Sequence, residues 1–383
     1  MGQKIAIIGS GPAGCMTACN LDKSFKITLF DKSKPLKTLL PTGGGRCNLA
    51  HAEYNFKDLA KNYPRGEKFL YSVFSQFGTQ DTLDFFEKIG IKTYTQENGR
   101  IFPISNSAQD VRNAILSKLH HCKFKEEEII SIKKLENGFE VKSSNASYYF
   151  DIVVVAIGGK SNYKLLSDLG HTIIEPKPSL VGVVTEPNFK ELQGVSLQNC
   201  LITSGKNKIE GDILFTNDGI TGPAIFELSS INARKELPYE ITTDFVNKDM
   251  NLQNLFDKNP HKELKNILSE FLPKAFVSEM LKNINLTQKG YEIKSNTKVL
   301  VNSTMRKYKI KVIKTRKNGE TVTCGGVSLK EINSKTMSSR LVDKLYLCGE
   351  IIDVDGYCGG FNLQNCWSTG YITAIAINSD MEQ

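Results

Sequence analysis

The sequence has 383 residues and nine cysteines, at positions 15, 19, 47, 122, 200, 324, 348, 358 and 366, but no CxxC pair. An odd, scattered set without a secretion signal excludes a disulfide framework and reads as the reduced thiols of a cytoplasmic protein. The five histidines show no metal-ligand spacing, so no metal is expected, and His120 with His121 reads as a solvated helix end. No apolar run approaches the ~20 residues that span a bilayer, so no membrane partner is expected. The N-terminus enters a core strand within about four residues, so no signal peptide is expected. Ala6 stands where myristoylation of Gly2 would require Ser or Thr. Internal repeats and low-complexity segments are absent as well.

Concentrated charge is also lacking. The formal net charge is +8, yet Lys and Arg are spread along the chain, with one modest cluster from Lys307 to Lys317. That cluster alternates apolar and basic residues, which predicts a strand with one basic side. A nucleic-acid partner is therefore not expected, whereas an anionic substrate or a phosphate-bearing cofactor suits the positive balance. With 40% hydrophobic and 23% charged residues, the composition is that of a globular protein of two or three domains.

What is present begins with KIAIIGSGPAG. A β-branched run meets Gly9, Gly11 and Gly14 and then CMTACNL, whose apolar spacing suits a helix. Strand, turn and helix follow in the order of a dinucleotide fingerprint. Gly9 allows the turn, Gly11 lets a pyrophosphate approach, and Gly14 lets helix and strand pack closely. A second apolar run, FKITLF, ends at Asp31, placed to accept a hydrogen bond from a ribose hydroxyl.

Next comes LKTLLPTGGGRCNLA, too glycine-rich for a helix. Its TGGGRCN segment offers successive N–H groups beside the Arg46 guanidinium and the Asn48 amide, which suits a pyrophosphate or a polar ring edge. A helical stretch is expected around 67–89, and another begins at Ser107 and Asp110. Asn137-Gly138 signals a hairpin, and DIVVVAIGG reads as a buried parallel strand. From about Pro178 short strands and turns take over to about Phe245, and a helical portion follows from about Leu252. TVTCGGVSL then leads back to KLYLCGE, a strand that completes the N-terminal sheet. Beyond it, Gly359-Gly360 opens the helix FNLQNCWSTGYITAIAI, whose start carries partial positive charge.

These motifs, with LFTNDGITGPA, VTCGGVSLKEI and LYLCGEIIDVDGYCGGFNLQNCWSTG, resemble the BaiN-like flavoproteins, also called the aminoacetone-oxidase family of FAD-binding enzymes. The match runs from Lys4 to about Ile375. The resemblance implies an α/β fold: a glutathione-reductase-like, Rossmann-type FAD-binding domain at 1–185 and 320–383. It also implies an inserted domain at 186–319, β-rich over 186–250 and helical over 251–310, that covers one flavin face and shapes the substrate pocket. By this likeness Ala13 and Asp31 contact pyrophosphate and ribose, Ile129 packs near adenine, and Arg46 and Asn48 line the pyrophosphate and flavin. Glu350 holds the ribityl chain, while Asn362 and Leu363 offer backbone to the flavin's pyrimidine edge. Gly9, Gly11, Pro12, Gly14, Lys32, Thr42, Gly43, Gly44, Gly158, Gly349, Asp353 and Gly360 complete the expected cofactor set.

Two positions depart from the family pattern: Asn217 stands where His is frequent, and Cys358 where Thr is frequent. No catalytic acid or base is readable, and Asn48 and Asn217 are the candidates for a substrate-directed role. A redox role for Cys47 and Cys358 is disfavoured by the missing CxxC. A second nucleotide fingerprint is missing too, since AIGGKSNY is not one, so any NAD(P)H binding is transient. The expected activity is an FAD-dependent oxidoreductase that moves a hydride between a small organic substrate and flavin N5, as an amine oxidase or an enone reductase does. The alternative is a non-catalytic flavin-binding protein, redox-sensing or RNA-associated.

Overall fold

The computed structural model describes residues 2–246, 251–316 and 322–381. The chain divides into two compact units, 1–177 with 322–383, and 178–321. The boundary expected at 319/320 lies outside the described residues. So does Lys317 of the basic cluster.

The first unit is built on a five-stranded parallel sheet. Lys4–Ile8 lies between Lys26–Asp31 and Ile152–Val155, with Leu345–Leu347 beyond Ile152–Val155 and Lys123–Glu126 beyond Lys26–Asp31. The two central strands, at 4–8 and 152–155, are almost wholly buried, as apolar strands covered on both faces must be. The C-terminal strand 345–347 pairs with 152–155 and thereby completes the sheet begun at the N-terminus. Helix Pro12–Asn20 packs along helix Phe361–Met381, where Thr17 Oγ1 donates to the Gly370 carbonyl at 3.0 Å. Trp367 is fully buried beside Phe86, on the helix face it shares with the half-buried Leu363.

The expected helix over 67–89 is two helices, Glu67–Phe74 and Thr79–Lys88. Gly78 interrupts the run, and its N–H is taken by the Asp81 carboxylate, which starts the second helix instead of continuing the first. Helix Ala108–Leu116 starts as expected, with Ser107 Oγ accepting from the Asp110 N–H. The Asn137-Gly138 turn joins Ile129–Leu135 to Gly138–Ser143, and Ser147–Phe150 follows antiparallel. His120 is exposed, but His121 is half-buried with both ring nitrogens covered. The expectation of a solvated pair therefore fails at His121, whose pKa is held down, chiefly by burial.

The second unit carries a closed six-stranded antiparallel barrel in the order Val183–Glu186, Gly219–Thr221, Asn207–Thr216, Ser196–Ser204, Tyr239–Asp244 and Tyr308–Thr315. Closure removes the open edges that a small sheet would present. Tyr308–Thr315 does carry its lysines outward, with Ile310 and Val312 inside. The helical portion contains Leu252–Lys258, Leu264–Ser269, Lys274–Met280 and Ser295–Arg306. Its core joins helix and barrel through Phe215, Phe245 and Phe276.

Candidate functional site

At the carboxyl ends of the parallel strands the first unit gathers four loops, the place where open α/β sheets bind ligands. The first is the glycine turn. Gly9 has φ 102°, and a Cβ there would overlap the Ala156 carbonyl, while one on Gly14 would overlap the Gly9 carbonyl. Both are packing glycines. Gly11 differs: a Cβ on it would meet only Thr38 Oγ1, 3.8 Å away. Its face is a cradle for a ligand approaching the N-terminus of Pro12–Asn20, whose first N–H groups point outward.

Asp31 ends the second strand. Its Oδ2 accepts from the Ser10 N–H at 2.8 Å and Ser10 Oγ at 2.9 Å, and its Oδ1 accepts from the Ser33 N–H at 2.9 Å and Ser33 Oγ at 3.1 Å. The carboxylate is thus fixed against the first turn. Lys32 is exposed beside it. Sequence reasoning missed Ser10 and Ser33, because a serine's partner depends on which loops meet.

The third loop follows Ile152–Val155. Gly158 has open space within 4 Å of its Cβ position, whereas a Cβ on Gly159 would overlap the Thr323 side chain and come within 3.1 Å of Glu350 Cδ. Glu350 Oε1 accepts from the Thr323 N–H at 2.7 Å. Tyr163 donates its hydroxyl to the Gly159 carbonyl at 2.9 Å, and its pKa is pushed up by burial and then by the nearby Glu350 and Asp353 carboxylates. Asp353 is half-buried and donates its N–H to the Val327 carbonyl.

The fourth loop joins the chain's two ends. A Cβ on Gly349 would lie 2.7 Å from Ala13 Cβ and 3.7 Å from Cys366 Sγ, so the C-terminal turn rests directly on the first helix. Gly360 is closed against the Ala50 backbone, His51 stacks on Phe361 with ring centroids 4.6 Å apart, and Trp367 Nε1 donates to the Leu49 carbonyl at 3.0 Å. These contacts seat the TGGGRCN exit on the start of the C-terminal helix. The Asn362 side chain clamps the Gly356 backbone at 2.9 and 2.8 Å, so the side chain is spent on the turn that precedes the helix. Asp355 is fully buried in an ion pair with Arg65, another partnership without a sequence signal.

Inside TGGGRCN the backbone runs left-handed through Gly43, Gly44 and Gly45 (φ 58°, 69° and 86°), a path glycine takes at little cost. Arg46 folds back, donating Nε to the Gly43 carbonyl at 3.1 Å and stacking 4.3 Å above the Phe102 ring. Thr42 Oγ1 donates to the Leu39 carbonyl. Cys47 is buried and pushed up to about 12 by burial, which removes it from thiolate chemistry at neutral pH. Cys358 is exposed, with Arg100 Nη2 3.8 Å from its sulfur.

Asn48 Oδ1 is buried without a hydrogen-bond partner, as is Asn365 Oδ1. An enclosed acceptor lacking a donor is costly. A bound ring that brings an N–H satisfies it, so the donor set and the open faces of Gly11 and Gly158 fit a flavin dinucleotide. Ile129 is placed differently from these loops: it is buried in the core among Phe30 and Phe150. Asn217 lies in the second unit, on the turn between Asn207–Thr216 and Gly219–Thr221, where its Oδ1 accepts from Arg316 Nη2 at 3.1 Å and Arg316 also pairs with Asp218. No group of His, Cys, Asp and Glu suited to a metal ion occurs among the described residues. Among them, too, no helix is long and apolar enough to cross a membrane.

The family model described as HI0933-like protein Rossmann domain matches residues 3–376. The chain is 28% identical to a 3-dehydro-bile acid delta(4,6)-reductase of Clostridium scindens over 98% of each chain. It is 27% identical to a ribosomal RNA dihydrouridine synthase of Escherichia coli over 96% of each. Among solved structures, a chain of the Mycobacterium smegmatis Sdh1 complex in the apo form shares the fold, with a TM-score of 0.52 and 12% identity, over all of this chain and 68% of that one.

Proposed function

The chain belongs to the HI0933-like family and is an FAD-dependent oxidoreductase, and on that premise we propose that it adds hydrogen to a carbon–carbon double bond conjugated to a carbonyl in a small organic substrate. Bound FAD supplies the hydride-transferring ring, and the protein supplies binding, orientation and charge. One observation carries the choice of reduction over amine oxidation: the two relatives named above have names that describe hydrogen addition, a delta(4,6) reduction and dihydrouridine formation.

In this reading the Gly9 to Gly14 turn and Pro12 and Ala13 receive the pyrophosphate, Asp31 and Lys32 the adenosine ribose, and Ile129 backs the adenine. Glu350, fixed by the Thr323 N–H, accepts from the ribityl hydroxyls, with Gly158, Gly349 and Asp353 around it. Thr42, Gly43, Gly44, Arg46 and Asn48 line the ring's polar side, and Gly360 with the backbone of Asn362 and Leu363 opens the helix N-terminus, which favours negative charge there. Asn48 and Asn217 are amides, able to hold a substrate carbonyl but unable to move a proton near neutral pH. The proton donor is therefore neither of them. Electrons come from NAD(P)H bound transiently.

The test is anaerobic reduction of FAD-loaded protein by NADH or NADPH, followed by an enone or by air. Loss of flavin colour with the nicotinamide and its return on adding the enone is the expected result. Reduction by amines with rapid return in air and peroxide release would overturn the direction proposed.

A further inference from the structure

The Phe102 ring under Arg46 belongs to Arg100–Pro103, the central strand of a three-stranded antiparallel sheet between Ala50–His51 and Thr93–Thr95. The chain that leaves TGGGRCN is pinned to this strand: the Leu49 N–H donates to the Ile101 carbonyl at 2.9 Å, and Ala50 pairs with Ile101. Phe102 is 1% exposed and lies opposite Tyr94, with ring centroids 6.2 Å apart. The sheet thus fixes the ring independently of the glycine loop.

Two residues of that loop meet the same ring. A Cβ on Gly43 would lie 2.9 Å from Phe102 Cε1, and Arg46 Cζ stands 4.3 Å from the ring centroid. Because the Gly43 carbonyl accepts from Arg46 Nε at 3.1 Å, loop, guanidinium and ring form one closed unit. By contrast, the Cβ positions of Gly44 and Gly45 have nothing within 4 Å. Arg46 makes no other side-chain hydrogen bond and no ion pair among the described residues. Its Nε edge and one face are taken, which leaves the four N–H donors of the terminal nitrogens in a fixed plane.

An arginine on three successive left-handed glycines would otherwise sample many rotamers, and ordering it on a ligand would offset much of the gain from its hydrogen bonds. Stacking on an aromatic face supplies that order in advance and adds the attraction between the cation and the ring's negative face. An aliphatic side chain would fill the space without offering such a face.

We propose that Phe102 is a positioning residue: it holds the Arg46 guanidinium with its terminal N–H groups toward the dinucleotide, and so acts on FAD through Arg46. The inference rests on the reading that places Arg46 on the flavin's polar side.

The test is a double-mutant cycle in the full-length protein, read as the Kd for FAD from quenching of flavin fluorescence and as the flavin's midpoint potential. Phe102→Leu should weaken FAD binding at least about threefold and move the potential negative, since a wandering cation stabilises the reduced, negatively charged ring less. Phe102→Tyr keeps the aromatic face and should bind as the wild type does. Arg46→Gln should weaken binding at least about tenfold. With Arg46→Gln already present, Phe102→Leu should change neither reading, because the group it acts through is gone. The melting temperature of the flavin-free protein should fall with Phe102→Leu in either background, which separates packing from positioning. If Phe102→Leu does not fold, Phe102→Met takes its place. Losses that add in the double variant overturn the proposal, since Phe102 then supports the fold alone. So does a Phe102→Tyr protein that binds as poorly as Phe102→Leu. Full FAD affinity in Arg46→Gln overturns the placement of Arg46 and the proposal with it. No turnover is measured, so each of these outcomes leaves the reductase reading to its own test.

Discussion

Gly11 and Gly14 stand three residues apart in one motif and act oppositely. A Cβ on Gly14 strikes backbone, one on Gly11 enters open space. Gly14→Ala should therefore destabilise the protein by about 1–3 kcal/mol, read as a lower melting temperature, while Gly11→Val should melt as the wild type does and purify without flavin. The reverse pattern would exchange their roles. Glu331 offers a pH handle. It accepts from the Thr172 N–H at 2.9 Å and from His171 Nδ1 at 3.1 Å. Burial alone would raise this carboxyl, but the hydrogen bonds from Thr172 and His171 outweigh it and hold its pKa below the ordinary 4.5. A carboxyl depressed in the folded state stabilises fully above its unfolded value and loses that contribution as pH falls through its folded one. Thermal melts should show Glu331→Gln less stable by about 1–2 kcal/mol at neutral pH, with the gap to wild type closing below pH 4.5. Asp31 was readable as a residue because strand, spacing and acid form one local pattern. Ser10, Ser33, Thr323 and Tyr163 were not, because their partners lie on loops that meet only after folding.

At the level of elements, local chemistry was a good guide wherever it was decisive. Asn137-Gly138 made its hairpin, Ser107 capped its helix, and the basic–apolar alternation of Tyr308–Thr315 made a strand. The helix expected over 67–89 broke because Gly78 costs a helix interior about 1 kcal/mol and Asp81 rewards a fresh start there. Barrel closure had no local signature. It depends on Gly219, whose Cβ would overlap the Val183 carbonyl where Gly219–Thr221 meets Val183–Glu186. Gly219→Val should lower the melting temperature, and the bulkier residue should do so more than Gly219→Ala. Equal melting of all three proteins would mean that the barrel yields there.

For the whole molecule, each unit has its own core: Phe215, Phe245 and Phe276 at the centre of one, the parallel sheet with Trp367 in the other. The 178–321 segment, expressed alone, should fold with a cooperative thermal transition, since its barrel is closed and its aromatic core is internal. A fragment with only unfolded-chain circular dichroism would argue against it. FAD at about 100 times its Kd should stabilise the full chain by about 2.7 kcal/mol, because a ligand of the folded state alone shifts unfolding by mass action.

The sequence by itself determined the nucleotide-binding half: its glycines, strand runs and terminal acid act over short spans, where sterics and periodicity leave little choice. It also determined that the chain's two ends build one sheet, since each carries a buried strand ending at glycine. Tertiary structure alone decided which glycines are cradles and which are packing, that Gly349 rests on Ala13, that Asn48 keeps an unpaired acceptor, and that Arg46 stacks on the Phe102 ring. Those outcomes depend on distances between residues far apart in the chain, and a linear pattern does not contain them.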